Sequence, residues 1–266
     1  MTTKRKAELA AMTWKEAAEA YADNPVILLP MGSIEQHGPQ TPVGDYRYTT
    51  EMSKRIASQT GAISAPTIPW GYSDNFKEFP GCITLQPETL KQILYDNLDG
   101  FLRHGLDHIV FVIGHKGNVP IVEQVARKIK ETHGIRLAAI EPLSWLTRDF
   151  LEEAYGTKDF KSGHGSDPMT SLGMYINPDD VRLDLAEGDH PHEFAGLGMQ
   201  GMSTVNFDGY PVFLYCDTHE VTPNGVLGTA TPLASKEVGE KAVNHMVEIG
   251  SKFVEWFAKQ STRVNP

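Results

Sequence analysis

Three short segments of the chain hold residues that could together bind metal ions and move protons. The first is Gly32-Ser33-Ile34-Glu35-Gln36-His37-Gly38-Pro39, closed by Asp45. It places two carboxylates and an imidazole within eleven residues, a donor set that Zn²⁺ and Mn²⁺ accept. The second is Gly114-His115-Lys116-Gly117-Asn118, whose glycines permit tight turning and close approach of backbone to a ligand. His115 is there either a further metal ligand or a structural residue beside a helix. The third is Gly163-His164-Gly165-Ser166-Asp167-Pro168. Pro168 suits the first turn of a helix, which Ser166 or Asp167 could cap. The alternative is that Asp167 completes a metal shell and His164 shuttles protons, since imidazole titrates near neutral pH. The chemistry such a set supports is metal-dependent hydrolysis.

The elements that must position these residues alternate along the chain. Val26-Ile27-Leu28-Leu29-Pro30 reads as a short buried strand that ends where the first segment begins. Open α/β sheets place their active sites at such carboxyl ends of strands. Ile109-Val110-Phe111-Val112-Ile113 is a continuous apolar run, the mark of a strand covered on both faces, and it leads into the second segment. Further strands are expected at 62–65, 136–140 and 212–215. Helices are expected at 13–22, where Thr13 and Glu16 have capping-box form, and at 46–58, 88–103, 119–132, 144–154, 167–175 and 234–258. Residues 69–86 form a Gly/Pro-rich excursion that includes Tyr72. The β-then-α order predicts an α/β fold, with a mostly parallel central sheet flanked by helices. With no linker, repeat or low-complexity tract in its 266 residues, the chain reads as one domain over 1–266.

Composition narrows the partners. The net charge of −10 disfavours nucleic acid and anionic membranes. The two cysteines, Cys82 and Cys216, have no CxxC spacing, so neither a disulfide framework nor a zinc ribbon is expected. The basic start, Met1 to Lys6, lacks a following apolar stretch, and no run nears the roughly 18 apolar residues of a membrane span. A cytoplasmic location is the expectation. A Rossmann-type nucleotide binder fits the α/β pattern but is the weaker rival, since no G-x-G-x-x-G or P-loop follows a predicted strand. His104, His108, His133 and His245 read as structural. His190-Pro191-His192 and Cys216-Asp217-Thr218-His219-Glu220 are loop features that could line a pocket or meet another subunit.

The three segments, in order, resemble the creatininase family. Its Gly-Ser-x-Glu-Gln-His-Gly-Pro loop stands at 32–39, with the following Asp at Asp45. Its Phe-Pro-Gly-Thr segment is matched by Phe79-Pro80-Gly81-Cys82, and its Asn-Gly-His-Gly-Gly-Asn loop by residues 113–118. The His-Ala-Gly-Glu-x-Glu-Thr-Ser segment is matched more loosely at 164–171, and Asn224-Gly225-Val226-Leu227-Gly228 also fits. The resemblance spans roughly residues 24 to 245.

That resemblance implies a two-metal hydrolase, homo-oligomeric and commonly hexameric, acting on a small molecule. Glu35, His37, Asp45, His115 and Asp167 would be the metal ligands, with Asp45 bridging Zn²⁺, Mn²⁺ or Fe²⁺ ions. His164 would transfer protons, and Trp145 would cover the substrate. Lys116 and Tyr72 are the further expected substrate contacts. Five departures weigh against creatinine itself as substrate. The Gly44–Asp45 connection is one residue short, and Gly117 stands where creatininase carries Glu. Lys116 and Gln40 replace Gly and His, and Met169 replaces Glu. The expected reaction is attack of water on a carbonyl, opening a small ring or cleaving a small amide. An alternative within the family is carbon–carbon ring-opening of an oxidised inositol, with Lys116, Arg47, Asp217 and His219 reading the hydroxyls. A rival of another class is a non-catalytic metabolite-binding protein, in which the shortened connection misplaces Asp45.

Overall fold

The computed structural model describes residues 5–188 and 192–264. In its first half, helices α1 (Trp14–Tyr21), α2 (Tyr46–Thr60), α3 (Pro87–Leu102) and α4 (Val119–His133) alternate with strands β1 (Ile27–Met31), β2 (Ile63–Ser64), β3 (Ile109–Ile113) and β4 (Ala138–Ile140). Helices α5 (Arg148–Tyr155) and α6 (Met169–Ile176) follow. Then come the short strands β5 (Glu193–Phe194), β6 (Leu197–Gly198), β7 (Thr204–Phe207) and β8 (Tyr210–Phe213), and last α7 (Thr218–Val221) and α8 (Lys236–Phe257).

Strands β1 to β4 form one parallel sheet in the order β2-β1-β3-β4. Alternate residues of each strand enter opposite layers, because successive side chains of a strand point to opposite faces. Leu28, Val110 and Val112 pack with Met52, Ile56, Val243 and Met246 on the side of α2 and α8. Ile27, Leu29, Ile109 and Phe111 pack with Leu90, Leu94, Leu98 and Val125 on the side of α3 and α4. Burial on both faces is why these strands read as unbroken apolar runs. The expected capping box opens α1, with the Thr13 hydroxyl accepting from the Glu16 amide and Glu16 accepting from the Thr13 amide.

Two expectations change. The expected helix at 144–154 divides into a 3-10 turn, Pro142–Trp145, and α5, which Thr147 caps. The late strand expected at 212–215 lies instead at 210–213, outside the parallel sheet. It pairs antiparallel with β7. Asp208 and Gly209, both at positive φ, make the hairpin turn, and an Asp-Gly pair is the sequence signal for it.

Candidate metal centre

The loops leaving β1 and β3 lie side by side because those strands pair in register, Met31 opposite Ile113. Asn118 ties them together: its side-chain amide donates to the Gly32 carbonyl at 2.9 Å and accepts from the Tyr72 amide at 2.9 Å. Glu35, His37, Asp45 and His115 are all buried here, where charged groups are rarely left without a partner.

Two groups of donors share one residue. Glu35, Asp45 and His115 form the first, and Glu35, His37 and His164 the second. His115 Nδ1 stands 2.7 Å from Glu35 Oε2 and 3.5 Å from Asp45 Oδ2. Its other nitrogen, Nε2, donates to the Tyr72 carbonyl at 2.8 Å, which turns Nδ1 toward the carboxylates. His37 Nε2 lies 3.4 Å and His164 Nδ1 3.9 Å from Glu35 Oε1. His164 Nε2 donates to the Gln36 carbonyl at 2.6 Å, and its ring stacks on Phe76 with centroids 4.2 Å apart. Glu35 is common to both groups, while Asp45, the expected bridging residue, belongs to the first. Asp45 is oriented from behind, its Oδ1 accepting from the Ser33 amide at 2.6 Å and its Oδ2 from the Ser33 hydroxyl at 3.2 Å. Asp45 also begins α2 without capping it.

The electrostatics fit a site built around cations. Burial opposes ionisation of Glu35, but the charges of His115, then His37 and His164, outweigh it and hold the carboxyl at about 2. Burial likewise opposes charge on His115, yet Glu35 and Asp45 raise it well above the ordinary imidazole value. Burial pushes Asp45 up, brings His37 down to about 3 and lowers His164. Glu35 Oε2 and His37 Nδ1 are buried with no hydrogen-bond partner among the described residues, although His115 Nδ1 comes within 2.7 Å of Glu35 Oε2. Close, convergent lone pairs of this kind suit a divalent ion.

The shortened Gly44–Asp45 connection does not misplace Asp45. Gly44 adopts φ +103° and its amide reaches the Glu35 carbonyl at 2.8 Å, a conformation open to glycine and costly for other residues.

Three expected site residues stand elsewhere. Asp167 belongs to neither donor group. Its Oδ1 accepts from the Ser171 amide at 2.7 Å, and its Oδ2 from the Ser171 hydroxyl at 2.7 Å and the Tyr155 hydroxyl at 2.6 Å, so its lone pairs serve α5 and α6. Trp145 packs on the inner core beside Gly250 of α8. Tyr72 serves the site through its backbone, while its ring packs against the α3–α4 core. None of the three lines the cavity of about 520 Å³ that opens beside the donors. Lys116 does line it, as do Glu141, Phe76 and Met202, which the sequence reading missed. Glu141 immediately follows β4, so its place at a strand end was the available signal. Arg47 pairs with Asp180, Asp217 caps α7 and approaches Lys77, and His219 is exposed on α7. None of these lines the cavity, so the expected hydroxyl-reading set is not assembled there. His190 and Pro191 lie outside the described residues, and His192 contacts the Val226 carbonyl at 2.9 Å.

A parallel α/β sheet with buried carboxylate–imidazole donors at its strand ends is the design of a metal-dependent hydrolase. The sequence profile of the creatininase family, described as creatinine amidohydrolase, matches residues 10–254, and the chain belongs to that family. It is 30% identical to the creatinine amidohydrolase of Pseudomonas putida over 248 residues, 86% of this chain and 88% of that one. The 3-dehydro-scyllo-inosose hydrolase of Thermotoga maritima is 26% identical, over 91% of this chain and 81% of its own length. The mycofactocin precursor peptide peptidase of Mycobacterium ulcerans is 28% identical, over 87% and 86%. Among solved structures, creatininase with Mn has a TM-score of 0.77 at 26% identity, covering 95% of this chain and 99% of that one. A Zn–Zn type of a creatininase mutant gives 0.78 at 26%, covering 96% and 99%.

Proposed function

We propose that the protein is a binuclear hydrolase that opens a small ring or cleaves a small amide at a carbonyl. The observation that carries this reading is the pair of donor groups sharing Glu35 at the mouth of a cavity of small-molecule size. Glu35, Asp45 and His115 would hold one divalent ion, and Glu35 with His37 the second, Zn²⁺ and Mn²⁺ being the ions that suit these donors. Bound there, such ions supply Lewis acidity and lower the pKa of water.

The chain's own residues do the rest. Ser33 and Tyr72 fix Asp45 and His115 in orientation. His164 is kept neutral by burial, and its Nδ1 faces Glu35 and the cavity while Nε2 is tied to Gln36. It can accept a proton from the attacking water and return it to the leaving nitrogen. The apolar wall of Leu143, Leu146 and Met169 limits access of bulk water to the reacting carbonyl. Carbon–carbon ring-opening remains the second reading, favoured by the inosose hydrolase among the relatives. Assembly as a homo-oligomer, with a hexamer as the size the family resemblance implies, completes the proposal.

The deciding experiment is metal content on protein purified without chelator, followed by a turnover screen of cyclic amides, formamides and cyclic polyol ketones. About two ions per chain and turnover of an amide support the reading. Negligible metal after loading with Zn²⁺ or Mn²⁺ sinks it and leaves a metabolite-binding protein.

A further inference from the structure

The cavity beside the donors holds two charges that no described residue neutralises. Besides the five donors themselves, the charged residues lining it are Lys116 and Glu141. Lys116 is exposed and Glu141 half-buried. Neither side chain makes an ion pair or a hydrogen bond among the described residues, and the two do not meet each other within 4.0 Å. A half-buried carboxylate without a partner gives up solvation for nothing in the free protein.

Topology explains why the charges come from these two places. The register of β3 and β4 sets Val112 opposite Ile140, so Glu141 and the loop bearing Lys116 leave neighbouring strands at the same sheet edge. Position 117 cannot contribute: a Cβ on Gly117 would fall 2.3 Å from His115 Nε2 and 2.5 Å from the Tyr72 carbonyl. The further carboxylate on the cavity, beyond the donors, comes from the adjacent strand end as Glu141.

We propose that Lys116 and Glu141 are specificity-determining residues that select a small substrate carrying both an anionic group and an ammonium or N–H donor, as in an amide or lactam derived from an amino acid. This rests on the hydrolase reading above and narrows its substrate class. Opposite charges that line one cavity without pairing within 4.0 Å suit a ligand that carries opposite charges of its own. Leu143, Leu146 and Met202, which line the same cavity, offer apolar surface for its carbon skeleton. A neutral polyol would leave both charges unmatched.

The test is calorimetric titration of Zn²⁺-loaded protein with 4-aminobutanoate, butanoate, butylamine and myo-inositol. 4-Aminobutanoate is expected to bind about tenfold more tightly than each of the others, the scale of one charge-assisted hydrogen bond. Lys116→Met should reduce it to the level of butylamine and Glu141→Gln to that of butanoate, with metal content unchanged in both. Equal binding of inositol overturns the proposal, because the site would then not read charge; so does an order of affinities that neither variant alters, because the metal alone would then be holding the carboxylate. Repeating the series on chelated protein separates the two readings. A charge preference that persists without metal supports the substrate class even if metal loading fails and the hydrolase reading falls.

Discussion

Glu35 is the residue on which both donor groups depend, so substitutions around it should be unequal. Glu35→Gln is expected to reduce the metal content from about two ions to almost none, whereas His37→Ala should remove about one. Elemental analysis of the purified variants decides, and equal losses would mean that the ions do not share Glu35. His164→Ala should keep the ion held by Glu35, Asp45 and His115 while abolishing most turnover; loss of all metal would make His164 a ligand and no proton carrier. His115 adds a pH signature. In the metal-free protein its pKa is raised by Glu35 and Asp45 against the opposing effect of burial. Its contribution to stability is then fully present below the unfolded value near 6.5 and is lost as pH rises through the folded one. Chelated protein should therefore melt at lower temperature as pH climbs above neutral, and His115→Gln should flatten that slope. Zinc binding near pH 7 should also release a proton, measurable by calorimetry in buffers of different ionisation enthalpy.

At the scale of elements, the loops are held by a few side-chain bonds. Asn118 joins the exits of β1 and β3 to the 71–72 backbone, and Asn118→Ala would leave the Gly32 carbonyl without its bond inside the protein. A loss of about 1–3 kcal/mol in chemical denaturation is expected, with weaker metal retention; unchanged stability would show that the loops hold themselves. The same elements explain what the sequence could disclose. The buried strands were legible because Ile27 to Met31 and Ile109 to Ile113 lie between two helix layers and carry no polar residue. Glu35, His37 and His115 were legible as candidates because each lies within a few residues of a strand end, and Asp45 because it closes the same loop. The place of Asp167 away from the donor groups was not legible, because the spacing that suits a ligand also suits a residue that binds Ser171 and Tyr155. Trp145 was misplaced for a similar reason, since α8, against which it packs, lies about a hundred residues further on. Glu141 was missed because a lone carboxylate after a three-residue strand has no motif around it.

At the scale of the whole molecule, the hairpin of β7 and β8 raises the question of what surrounds it. All four residues of β8 are exposed, and Phe213 and Tyr215, 73% and 86% exposed, stack on one another. A two-stranded hairpin is marginal in water without a packed face, and a cluster of aromatic side chains at such exposure marks an interaction surface. The chain's net charge of −10 repels other copies over most of the surface, so association should concentrate where the surface is apolar. Light scattering is expected to give a multiple of the 29.4 kDa chain mass. The double variant Phe213→Ser, Tyr215→Ser should shift it toward the single chain while circular dichroism stays unchanged. Met202, just before β7, lines the candidate substrate cavity, so loosening the hairpin should also raise KM more than it lowers kcat. A protein that is monomeric before substitution would remove the hairpin as an assembly surface. A variant that dissociates with KM unchanged would instead separate assembly from the site.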